Sequence, residues 1–132
     1  MADPSQTASS SPLVVLLVDD ELPLLDSLRL GLGSSFDVDL ATSTAEADLM
    51  MATRRYDVVV SDHLMPGEEG LQFLLRASER YPETKRILIT GYANPELLSR
   101  SVGIAGLAAC LFKPVRAAVL ADTILQAVKG RS

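Results

Sequence analysis

Five short apolar runs, each followed by a longer segment of helical periodicity, constrain this chain more than any other feature of its sequence. The runs are Leu13 to Val18, Phe36 to Ala41, Asp57 to Asp62, Lys85 to Thr90 and Leu107 to Phe112. Leu-Val-Val-Leu-Leu-Val, Val-Val-Val and Ile-Leu-Ile are continuous, as strands covered by helices on both faces require. Phe36, Val38 and Leu40 instead alternate with Asp37 and Asp39, which predicts a half-exposed edge strand. Helical segments fall at Pro23 to Leu32, Thr44 to Arg54, Glu69 to Arg80, Pro95 to Val102 and Arg116 to Lys129. Gly31 and Gly33 are expected to end the first helix, and Asn94 to cap the helix that opens with Pro95. Crossovers between parallel strands are almost always right-handed, so five such units predict a doubly wound α/β fold. Strand order 2-1-3-4-5 is one of two common solutions.

The 132 residues suit one domain, and 48% hydrophobic against 22% charged residues is enough apolar material for a core. Met1 to Pro12, rich in Ser, Ala and Pro without periodicity, is expected to be a flexible leader to a folded unit at residues 13 to 130. The longest apolar run has six residues, against the roughly 20 of a membrane-spanning helix, and the leader lacks the form of a secretory signal. A cytoplasmic chain without a membrane partner is the expectation. Cys110, the single cysteine, excludes an internal disulfide or a cysteine metal cluster and is expected to be a buried small apolar residue. The net charge is −5, and residues 1 to 66 hold 11 acids against 3 bases. That balance argues against direct binding to nucleic-acid phosphates, which needs clustered Lys and Arg.

In an open parallel sheet, ligands bind outside the carboxyl ends of the strands. The residues there are distinctive: Asp19, Asp20 and Glu21 after the first run, Asp62 at the end of the third, Thr90 at the end of the fourth, and Lys113 with Pro114 after the fifth. Each has a plain structural explanation. The Asp19-Asp20 pair suits a helix start, Asp62 a turn, Thr90 a strand terminus and Lys113 a solvated charge. Their coincidence at one end of the sheet favours chemistry. Gathered carboxylates raise one another's pKa unless a cation intervenes, and Mg²⁺, which prefers oxygen ligands and retains water, suits two carboxylates and a backbone carbonyl. A carboxylate is also a competent nucleophile at phosphorus when cations neutralise the phosphoryl oxygens, and Lys113 offers one such charge.

Val18-Asp19-Asp20-Glu21, Ser61-Asp62-His63-Leu64-Met65-Pro66-Gly67 with Gly70, Ile89-Thr90-Gly91 and Lys113-Pro114 resemble, in order and spacing, the receiver domains of two-component response regulators. The resemblance runs from about Leu13 to Lys129 and implies a flavodoxin-like (βα)5 fold. It implies Asp62 as phosphoacceptor, with Mg²⁺ held by Asp20 directly, by Asp19 largely through water, by Asp62 and by the Leu64 backbone carbonyl. Thr90 is similar to the family's switch hydroxyl and Lys113 to the lysine that pairs first with the acceptor and then with the phosphate; the Lys113–Pro114 bond is implied to be cis. The phosphoryl donor would be a histidine kinase or histidine phosphotransfer protein. The domain would then switch its binding of an output domain or target protein, as a signalling part that promotes its own phosphorylation and dephosphorylation rather than a turnover enzyme.

The family usually has an aromatic residue three before the lysine, where this chain has Cys110, so the usual aromatic readout is in doubt; Tyr92, two after Thr90, reads as an ordinary loop residue. Apolar Leu64 near the phosphate entrance is expected to hinder the hydrolytic water and prolong the phosphorylated state. His63, the only histidine, has no Ser, Cys or acid at triad spacing and reads as a bystander. Two other functions compete. A haloacid-dehalogenase-like phosphatase also uses an Asp after a buried strand but needs a second Asp two residues on, where Leu64 stands. A receiver-like binding module that is never phosphorylated would be expected to have lost part of the set Asp19, Asp20, Asp62, Thr90 and Lys113, all of which are present.

Overall fold

A computed structural model of the chain describes residues 12–91, 103 and 106–129. In order come β1 (Leu13–Val18), α1 (Leu22–Leu32), a 3-10 turn (Gly33–Ser35), β2 (Phe36–Ala41), α2 (Thr44–Thr53), β3 (Val58–Asp62), α3 (Gly70–Arg80), β4 (Lys85–Thr90), β5 (Ala109–Phe112) and α4 (Ala117–Lys129). All four strand pairings are parallel and the sheet order is β2-β1-β3-β4-β5, the doubly wound arrangement expected. Tyr92, Asn94, the helix expected at 95 to 102 and the first 11 residues lie outside the described residues.

Alternation along the central strands divides the core in two, because successive side chains leave a strand on opposite faces. Leu16, Val18, Val59 and Leu88 meet Met51 of α2 and Phe73, Leu74 and Ala77 of α3. Val15, Leu17, Val58, Val60, Ile87 and Ile89 meet Leu25, Leu28 and Leu32 of α1 and Leu120 and Ile124 of α4. Each fully buried Leu or Phe contributes about 1.5–3 kcal/mol, so both faces are needed to offset chain entropy. The edge strand β2 is half exposed, as its alternating aspartates predict, and Arg54 bridges Asp37 and Asp39 across its outer surface.

Three expectations need correction. Gly31 does not end α1: it lies within it, and a Cβ there would come 2.4 Å from the Cβ of Ala117, so a side chain is excluded by the crossing of α1 over α4. Gly33 alone closes the helix, at φ 71°, a conformation that favours glycine. Cys110 is only half buried, because β5 is the second edge of the sheet and lacks a neighbour on one side. Several element ends also shift by one or two residues. Asp57, Leu107 and Ala108 fall outside their strands, and Gly106 turns the chain at φ 59° just ahead of β5. Arg54 and Glu69 flank helices α2 and α3 as caps.

Candidate functional site

The register of the sheet gathers the site. Val18 pairs with Ser61 and Asp62 with Ile89, so the residues that follow β1 and end β3 stand abreast. Backbone ladders run one step past the strands: the amide of Asp19 donates to Ala41 O (3.1 Å), that of His63 to Ile89 O (2.9 Å) and that of Lys113 to Thr90 O (3.0 Å). Each polar residue is thereby fixed by the main chain of a neighbouring strand rather than left on a loose loop. Gly70 completes the floor. A Cβ there would fall 1.9 Å from the carbonyl oxygen of Asp62, so only glycine lets α3 start this close to the end of β3.

Asp19, Asp20 and Asp62 each offer a carboxylate oxygen, and these oxygens lie within 4.8 Å of one another. Asp19 and Asp62 are buried, while Asp20 faces solvent. The Lys113 ammonium stands 3.2 Å from Asp62 Oδ1, 3.5 Å from Asp19 Oδ2 and 3.9 Å from Glu21 Oε1. Burial pushes the Asp19 carboxyl above its ordinary range, an effect reduced by the bond its Oδ1 accepts from the Glu21 amide and renewed by the charge of Asp62. Burial also works against charge on Lys113, but the hydrogen bond to Asp62 and the charges of Asp19, Asp62 and Glu21 outweigh it and hold the ammonium above its usual value.

Thr90 is fully buried at the end of β4, one residue past the Ile89 that pairs with Asp62. The Leu64 side chain, two residues after Asp62, is exposed, and the Lys113–Pro114 bond is cis. The helix-cap explanation of Asp19 holds in part: its carboxylate takes the Glu21 amide just ahead of α1, while Glu21, at the cap position, makes no side-chain cap bond. His63 is more enclosed than a loop bystander would be. It is 4% exposed, its Nε2 lies 3.7 Å from Glu69 Oε2, and its Nδ1 has no hydrogen-bond partner among the described residues.

Sequence reasoning missed the support of the loop between β3 and α3. Arg76 donates to both oxygens of Glu68 (2.6 and 2.8 Å) and to Asp48 Oδ2 of α2 (2.8 Å), which ties that loop to two helices. No local pattern announces a trio spaced at 48, 68 and 76; only α2 and α3 packing on the same sheet face brings it together.

Among known proteins, the chain is 37% identical over 123 residues to the hydrogenase transcriptional regulatory protein HoxA of Cupriavidus necator, covering 93% of this chain and 26% of that one. It is 34% identical over 122 residues to the response regulator protein FleR of Pseudomonas aeruginosa, covering 89% of this chain and 25% of the relative. The chain thus spans about a quarter of the length of these relatives. A CheY-like response regulator receiver domain protein from Methanospirillum hungatei has a similar structure, with a TM-score of 0.83 at 29% identity over 90% of this chain and 95% of that one. No helix among the described residues is long and apolar enough to cross a membrane. A model of the response regulator receiver domain matches residues 15–125, from within β1 into α4. With fold, strand-end acids and relatives in agreement, the chain belongs to the response regulator receiver domain family.

Proposed function

We propose that Asp62 is the residue on which this receiver domain accepts its phosphoryl group, in a Mg²⁺-dependent reaction. The observation that carries the reading is the Lys113 ammonium 3.2 Å from Asp62 Oδ1, with the oxygens of Asp19 and Asp20 close beside. The donor set fits a hard divalent cation. It is all oxygen, it is compact, and Asp19 is held above its ordinary pKa by burial and by Asp62, the condition a cation relieves. Asp20 directly, Asp19 largely through water, Asp62 and the Leu64 backbone carbonyl would hold Mg²⁺, which supplies positive charge against the phosphoryl oxygens.

The donor is a phosphohistidine on a histidine kinase or histidine phosphotransfer protein. A carboxylate oxygen of Asp62 attacks phosphorus, a P–O bond forms as the P–N bond breaks, and the electron pair stays on the ring nitrogen that held phosphorus, while a proton on the other ring nitrogen lets the imidazole leave neutral. Lys113 offsets charge on the transferred group. The Thr90 hydroxyl then hydrogen-bonds a phosphoryl oxygen. The added charge of about −1.5 to −2 biases the loop after β4 and alters partner binding. The folded unit spans residues 13 to 130 behind a leader at 1 to 12, acts in the cytoplasm as a signalling part without turnover of its own, and governs an output region of the transcription-regulating kind named in its relatives.

Incubation with Mg²⁺ and acetyl phosphate followed by intact mass tests the reading. Wild type gains one phosphoryl group and Asp62→Asn gains none; a phosphorylated Asp62→Asn protein overturns it.

A further inference from the structure

Behind the carboxylates lies a cavity of about 490 Å³ whose apolar walls the phosphoacceptor reading does not use. It opens between the sheet and α1, on the face that also carries α4, and its walls include Leu24, Leu25, Leu28, Val60 and Val115. A largely apolar space of this size with a few polar groups at one end has the form of a small-molecule site, for which volumes run from about 300 to 1,000 Å³. Among the described residues, its polar end holds Asp19, Glu21 and Asp62 against one cation, Lys113.

That balance selects the ligand. The side chains of Asp19 and Asp62 are 7% and 6% exposed, so neither has ready access to bulk water. Without a divalent cation an anion would meet three carboxylates, and a purely apolar molecule would leave them still less hydrated. Glu21 is loosely engaged, 3.9 Å from Lys113 and 66% exposed, and can take a second ammonium. Lys113 itself, an aliphatic stem ending in an ammonium among these acids, shows the chemistry the site accepts.

We propose that the cavity binds a small amphipathic cation: a primary ammonium at Glu21 and Asp19 on an apolar body of roughly four to eight carbons lying between α1 and the sheet. The binding stands independently of the phosphoacceptor reading. Its consequence rests on that reading: a bound ammonium competes with Lys113 for the acids and slows phosphoryl acceptance.

Hexylammonium titrated into the full, unphosphorylated chain without Mg²⁺, followed by methyl NMR, tests the site. Saturable shifts are expected at Leu25, Leu28, Val60 and Val115, with 1-hexanol binding at least tenfold more weakly and hexanoate not at all. Leu24→Trp, which fills the cavity from a half-buried position, should weaken hexylammonium at least tenfold. Should that variant not fold, Glu21→Gln serves instead and should reduce the preference of amine over alcohol several-fold. Equal binding of hexanoate, shifts outside the cavity, or an unchanged amine preference in Glu21→Gln would overturn the proposal. Because no phosphodonor is present, failure of acetyl phosphate to modify Asp62 leaves this result untouched.

Discussion

The Lys113 ammonium reaches Asp62 Oδ1 across 3.2 Å, joining the end of an edge strand to the end of the central one. In the proposed phosphoryl transfer to Asp62, the contact would leave a cation where negative charge accumulates. Lys113→Ala is therefore expected to slow acetyl-phosphate labelling about 100-fold, as removal of one preorganised donor commonly does. Quenched intact-mass time courses read the rate, and labelling at the wild-type rate would remove Lys113 from the chemistry.

Asp19 gives a pH prediction. Its carboxyl is raised above the ordinary 3.8 by burial first and by Asp62 besides, so the folded protein holds this proton more tightly than the unfolded chain. A carboxyl raised in this way contributes most below its unfolded pKa, and the contribution is lost as pH rises through the folded value. Asp19→Asn keeps an oxygen for the Glu21 amide and removes the buried charge. Without divalent cation at neutral pH it should melt a few degrees higher than wild type, the size of an effect on the order of 1 kcal/mol. The difference should close below about pH 4, and a lower melting temperature at neutral pH would contradict the assignment.

Glu68 shifts the other way. The Arg76 guanidinium holds its carboxyl below the ordinary 4.5, with burial opposing. The stabilisation is present above the unfolded pKa and lost as pH falls through the folded one. Arg76→Met should cost about 1–2 kcal/mol in urea unfolding at neutral pH. Glu68→Gln should show a deficit that disappears under acid; a deficit constant with pH would locate the effect elsewhere.

The Leu64 side chain is exposed, two residues after the proposed acceptor Asp62. Replacing it with Asn, which can hydrogen-bond an attacking water, should speed loss of the phosphoryl group several-fold. Decay at the wild-type rate would show that this side chain does not limit water access.

Much of the fold was legible because each clue was local. Continuous apolar runs marked β1, β3 and β4, and the aspartates of β2 marked an edge. That Asp19, Asp20, Asp62 and Lys113 would meet was legible for the same reason, since a parallel sheet puts every strand's carboxyl end on one side. What escaped depended on distant partners. Gly31 resembles a helix stop until Ala117 crosses it, and Cys110 resembles a core residue until β5 proves to be an edge. His63 sits in a loop motif, yet backbone bonds on both sides draw it inward: its amide to Ile89 O, and its carbonyl from the Gly70 amide at 2.7 Å.

The bare Gly70 has a mechanical meaning. With no side chain as a spacer, the first turn of α3 rests directly on the main chain of Asp62, so neither can shift toward the other without a clash. Six residues on, Arg76 grips Asp48, and α2 is drawn into the same lever. Asp62, α3 and α2 thus form one continuous chain of contacts on the side of the sheet opposite α1 and α4.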